Sequence, residues 1–346
     1  MEQPTKLIMT GCVLFTTAVG SMLIMGCDRE AGAGTGCTEA NVSFDISSLE
    51  EIRLTPDSVL ADVERFWQTE APYIAAKRWE PPGYPIHYGE FERIVGELAA
   101  LDEETRSQNE CFALANGIHD AAPHFRARGL SGACSYLPEE TVLEANVLLA
   151  CFIHLGDPNP RFTPSAFVVE DAIVVNASSK FWNSHVNDVL HMLIHEVYHV
   201  GYHAHHPSLP LQDAETGEEM VEHILWQLQN EGMATYVAYR ARDAFPESGD
   251  EEDYRLLEDP VQVELRLGDV RDLLQQAATV PPAELRDAVI ERGITNRAFY
   301  IVGAHMARTI EDALGRDELV AAVRDGPAAF AELYNSVVEE GEEIRP

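Results

Sequence analysis

His195-Glu196-Val197-Tyr198-His199 is the stretch on which the reading of this chain turns. It has the form HExxH. From about Ser184 to Val200, Val186, Leu190, Leu193 and Val197 recur at intervals of three and four, the period of a helix with one buried face. Residues i and i+4 are neighbours on a helix. His195 and His199 can therefore offer two imidazoles to one zinc ion. Glu196 stands beside them, placed to hold a water and accept its proton. Gly201 reads as the stop of this helix.

Zinc needs a third protein ligand, and three residues compete for the place. His191 precedes His195 by one turn, but it lies about 12 Å along the axis from His199, too far for one ion on a straight helix. His205 follows His199 at the spacing of the pattern HExxHxxGxxH. The glycine of that pattern is replaced by Tyr202, and Gly201 falls one place early. Glu231 stands in Asn230-Glu231-Gly232-Met233-Ala234, inside a second helical pattern that carries Val221, Ile224, Leu225 and Leu228. A mid-helix glycine costs about 1 kcal/mol relative to alanine. Gly232 therefore points to a close approach by another backbone or by the HExxH helix.

HExxH followed by a helix with Asn-Glu-Gly-x-Ala resembles the gluzincin clan of zinc peptidases, and most of all an uncharacterised bacterial family of zinc-dependent peptidases. The resemblance runs from about Val147 to Tyr334. It implies a zincin-like fold, zinc held by His195, His199 and Glu231, and Glu196 as general base. It also implies an edge strand that pairs with extended substrate, for which Ile173 to Asn176 is the candidate. A further helix should supply an oxyanion donor. The segment Asn296 to Leu314, stopped by Gly315, offers Tyr300 and His305. Two features depart from the clan's pattern. Thirty-one residues separate His199 from Glu231, and Thr235 stands where several gluzincins carry a carboxylate that orients a ligand histidine.

Around this centre the fold class reads as α+β, mostly helical, with a small mixed sheet. Helical periodicity covers about Ser47 to Ala122, with stripes at Val59, Leu60, Val63 and Phe66 and at Phe91, Ile94, Val95 and Leu98. A loop at Pro81 to Pro85 interrupts it. Val147 to Ile153 suits a buried strand, with a buried helix segment as the alternative. Phe167-Val168-Val169 and Ile173-Val174-Val175 suit a hairpin or two sequential strands. The organisation expected is a signal segment at 1–26, a tether at 27–46, a helical region at 47–140 and a catalytic region at 141–340, the last two in one compact unit.

The N-terminus reads as targeting, not fold. Leu7 to Met25 lacks charge, and Leu23-Ile24-Met25-Gly26-Cys27 resembles a bacterial lipobox, with Cys27 the lipidated residue. A plain transmembrane anchor is the competing reading, and both put the body outside the cytoplasm, in the cell envelope. Cys37, Cys111, Cys134 and Cys151 then allow two disulfides in three pairings, or free thiols. Formal net charge is −34, from 24 Lys+Arg and 58 Asp+Glu among 346 residues. Such a field repels nucleic acid and anionic lipid, so the membrane is met only through the anchor. The partner expected is a peptide or protein substrate. A non-catalytic binding lipoprotein with a residual zinc site is the rival function, and the intact Glu196 argues against it, since a structural site needs no base.

Overall fold

Val142 to Ala150 forms β2, a strand with a neighbour on each side. The computed structural model describes residues 37, 39–46, 110–150, 166–169, 172–177, 185–207, 209–245 and 252–345. The lipobox with Cys27, the apolar stripes before Leu101, Cys151 and the loop at Pro158 lie outside them. β2 pairs in parallel with β1 (Glu39–Asp45) and with β4 (Ala172–Asn176). β4 pairs antiparallel with β3 (Ala166–Val169), so the hairpin forms as read. Among the described residues the sheet is mixed and four-stranded, in the order β1-β2-β4-β3. Leu143, Ala145, Val147, Leu148 and Leu149 of β2 are all buried, as expected for a strand with a parallel partner on each side.

Two expectations are corrected here. Glu39 to Asp45 lies within the stretch read as tether, yet it is a sheet strand. Val42 is fully buried, and the preceding Cys37 is disulfide-bonded to Cys134. The segment Ile173 to Asn176 was expected at the sheet edge, but β4 is interior, paired on both sides; among the described residues the edges are β1 and β3.

The helices supply most of the structure. α1 (Glu110–Cys134) continues past Ala122 with Pro123 inside it. α2 (Val186–His203) carries HExxH and packs against α1 and β2 and against α3 (Gly217–Ala241). The start of α3 is closed by a capping box: Glu219 N–H donates to Thr216 Oγ1 (3.2 Å) and Thr216 N–H to Glu219 Oε2 (2.9 Å). α4 (Glu252–Glu258), α5 (Pro260–Ala277) and α6 (Pro282–Ala288) follow. A π-helical turn, Val289–Thr295, then leads into α7 (Ala298–Leu314), which ends at Gly315 as read. α8 (Arg316–Asp325) and α9 (Pro327–Asn335) complete the order. Among the described residues no helix is long and apolar enough to cross a membrane.

Glycines set two of the helix contacts that shape the centre. Gly201 does not stop α2, which runs on to His203. A Cβ there would lie 2.3 Å from Leu137 Cδ1, so the glycine admits a neighbouring side chain instead of ending the helix. Gly232 meets a backbone, as its mid-helix position suggested, and the backbone belongs to α7. A Cβ on Gly232 would lie 2.2 Å from Gly303 Cα, and one on Gly303 would lie 2.0 Å from Leu228 O. α3 and α7 therefore cross with their main chains in contact, which brings the residues of α7 close to Glu231.

Candidate metal centre

α2 and α3 bring three donor atoms to one point. His199 Nε2 lies 3.0 Å from His195 Nε2. Glu231 Oε2 lies 3.4 Å from the first imidazole nitrogen and 3.3 Å from the second. A tetrahedral zinc with bonds of about 2.0–2.1 Å sets its donors roughly 3.3 Å apart. The triangle has that size, and two imidazoles with one carboxylate are donors zinc accepts. Among the described residues this is the group of three able to hold a metal ion.

The charges in the metal-free cluster oppose one another. Burial pushes the His199 pKa down, but Glu231, and more weakly Glu196, holds it up at about 9. Burial likewise pushes the Glu231 carboxyl up, and the two histidines more than offset it, leaving it well below the ordinary range. His199 Nδ1–H donates to Asn230 Oδ1 at 2.8 Å. Once neutral, that ring therefore turns the lone pair of Nε2 toward Glu231 and His195. His203, one turn on, is stacked on His199 (5.9 Å between ring centroids) and on Trp226 (5.7 Å). Burial, then the neighbouring His199, lowers the His203 pKa to about 4, so it stays neutral.

With Thr235, not a carboxylate, one turn after Glu231, it is Asn230 that orients His199. Thr235 Oγ1 is buried without a hydrogen-bond partner among the described residues. The residue before the ligand, on the side of α3 turned to α2, carries the orienting oxygen. The adjacent pair Asn230-Glu231 held that signal in the sequence.

Glu196 follows His195 on α2, half-buried, and its charge is felt at both His199 and Tyr300. Tyr300 lies near-parallel to the His195 ring, 6.2 Å between centroids and 14° between planes. Burial, then Glu231, raises its pKa. His305, the other candidate on α7, packs elsewhere: its ring meets Tyr334 of α9 at 6.1 Å. His191 Nε2–H donates to Ala238 O at 2.8 Å, with the Tyr254 hydroxyl 3.1 Å from the same nitrogen, so it packs α2 against α3 and α4. His205 Nε2 is hydrogen-bonded to Thr141 Oγ1 at 2.7 Å, just before β2. Asp253 and Arg297, beside Tyr300, were not singled out in the sequence. They meet only in the folded chain, and no local spacing announces them.

Residues 94–343 match the model of a family described as "putative zinc dependent peptidase (DUF5700)". The chain belongs to this family. Its cofactor is accordingly zinc, and the His195–His199–Glu231 cluster fits that ion. The family description names a peptidase, a hydrolase acting on peptides or proteins. No curated protein and no solved structure matches the chain.

Proposed function

We propose that the protein is an exported, lipid-anchored zinc peptidase of the gluzincin type, with zinc held by His195, His199 and Glu231. The observation that carries the reading is the donor triangle of 3.0, 3.3 and 3.4 Å, directly beside Glu196 on the same helix. Zinc, when bound, supplies Lewis acidity that makes a water acidic near neutral pH and polarises a carbonyl. Glu196 takes a proton from the attacking water onto its carboxylate and passes it to the leaving amine. The Tyr300 hydroxyl donates to the substrate carbonyl oxygen as negative charge builds there. β3, an edge strand against which α2 packs, takes the substrate-pairing role first given to β4.

Export is supported by the disulfide between Cys37 and Cys134 and by Cys111, which is also disulfide-bonded. Such bonds persist in oxidising compartments. Cys27 in Ile24-Met25-Gly26-Cys27 supplies the anchor.

The test follows cleavage of a diverse peptide pool together with zinc content. Wild type should cleave, lose activity with chelation and regain it with zinc. His195→Ala, His199→Ala and Glu231→Ala should each lose zinc and activity together. Zinc-loaded wild type that cleaves nothing contradicts the peptidase reading. Full zinc retention in Glu231→Ala, with loss in His205→Ala, contradicts the ligand set.

A further inference from the structure

Two residues of no assigned role form a wall beside the metal centre. Arg297 has φ of 64°, the positive-φ non-glycine position among the described residues. It stands where the π-helical turn hands over to α7, and the first α7 bond runs from Ile301 N–H to its carbonyl (3.0 Å). A side chain in the left-handed region is disfavoured, and such positions persist where the surroundings hold them, often beside functional sites. Here the surroundings hold the side chain twice. Its Nε donates to Asp253 Oδ1 at 2.9 Å, and a terminal nitrogen pairs with the other carboxylate oxygen, a fork-to-fork pairing. Its Cζ lies 3.2 Å from the centroid of the Tyr300 ring. That same ring runs near-parallel to the imidazole of His195.

The charges around the ring follow the same layout. The carboxylates of Glu231, Asp253 and Glu196 all act on Tyr300, and Arg297 is the cation that opposes them. Asp253 comes from α4, so the clamp ties α4 to the start of α7 at the place where α7 supplies Tyr300.

The geometry points to Arg297 as a positioning residue, held by Asp253, that fixes the Tyr300 phenol beside His195 so that its hydroxyl meets the reacting carbonyl. The kinetic part rests on the peptidase reading; the placement of the ring does not. A purely structural ion pair would tie the two helices without acting through Tyr300. A direct substrate contact would bind a carboxylate of the peptide and show itself in KM.

The experiment uses the zinc-loaded full chain with Arg297→Gln, Asp253→Asn, Tyr300→Phe and the double variant Arg297→Gln/Tyr300→Phe. Tyr300→Phe should lower kcat about 10²-fold or more, the scale for loss of an oxyanion donor, and Arg297→Gln in the same direction by about 10-fold or more, with KM moved less than about 3-fold. Asp253→Asn should shift kcat in the same direction by less. Arg297→Gln should cost nothing further in the Tyr300→Phe background, because coupled residues are not additive. Zinc content should equal wild type throughout. A 3-fluorotyrosine placed at position 300 gives a second readout, independent of cleavage: its fluorine resonance should move in Arg297→Gln and Asp253→Asn. Losses that multiply in the double variant overturn the inference, as does a KM rise that survives without the Tyr300 hydroxyl. An unmoved fluorine resonance in Arg297→Gln also overturns it. If wild type cleaves no peptide, the peptidase reading falls, and the fluorine resonance still decides whether Arg297 places the ring.

Discussion

Asn230 holds His199 through Nδ1, and that one bond decides which nitrogen faces Glu231 and His195. Asn230→Ala leaves all three donors in place but frees the ring. Zinc affinity should fall by about 10–100-fold, the usual effect of losing a ligand's supporting hydrogen bond. Competition against a chromophoric chelator measures it, and unchanged affinity would remove Asn230 from the account. Proton bookkeeping gives a second expectation. In the metal-free fold His199 is held protonated up to about pH 9 by Glu231 and, more weakly, Glu196, against the effect of burial. Zinc needs its lone pair, so binding must expel that proton. Uptake near pH 7.5 should release about one proton from His199, and release from it should fade as pH rises through its folded pKa. Calorimetry in buffers of different ionisation enthalpy reads this directly; release that does not diminish toward about pH 10 would contradict it. At this scale the convergence of His195 and His199 was legible because they lie four residues apart on one helix. Glu231 was legible through its neighbours Asn230 and Gly232. Arg297 and Asp253 were not, since they lie 44 residues apart and meet only across a helix contact.

α3 and α7 meet at Gly232 and Gly303, and the position of Glu231 depends on that crossing. Gly232→Ala would press a methyl group onto the Gly303 backbone, which cannot yield without moving α7. We expect a loss of roughly 3 kcal/mol, the upper end for overpacking, with weakened zinc binding because Glu231 is the next residue. Gly201→Ala meets the end of the flexible Leu137 side chain, so roughly 1 kcal/mol should be lost. Denaturant unfolding of both variants tests the order, and the reverse ranking would mean that the α3–α7 contact does not anchor the centre. The elements show where local pattern suffices. α2, α3, α7 and the β3–β4 hairpin were legible from apolar periodicity, and the end of α7 from Gly315. β1 was passed over as tether, although Val42 and Phe44 alternate with Ser43 and Asp45 in the manner of a strand. Its short run sits next to a glycine-rich segment, and only pairing with β2 makes it a strand. The placing of β4 at the edge failed for a related reason: strand order is a property of the whole sheet, and a single strand does not carry it.

Across the whole molecule, the Cys37–Cys134 bond joins residues 97 apart and ties β1 to the end of α1. Closing a loop of that size restricts the unfolded chain, so Cys37→Ser should lose about 3–5 kcal/mol of stability; an unchanged unfolding midpoint would show that the bond is not formed in the working protein. The bond also agrees with a body that faces an oxidising compartment, and Cys27→Ser should abolish lipid labelling while leaving zinc content intact. The formal charge of −34 opposes contact with nucleic acid and anionic lipid surfaces, and the proposed anchor at Cys27 would then be the route to the membrane. The compact unit spanning Gly34 to Pro346 holds every described element, and α2, α3 and α7 share the site among them. In the function proposed above, this unit hydrolyses peptide bonds with Glu196 as the base beside a zinc held by His195, His199 and Glu231. Glu196→Gln keeps the shape of the side chain and removes the base. Zinc content and peptide cleavage, measured on the same purified sample, should show zinc equal to wild type and cleavage lower by about 10²-fold or more, the scale of a general acid–base group; cleavage at the wild-type rate with zinc fully bound would contradict the account.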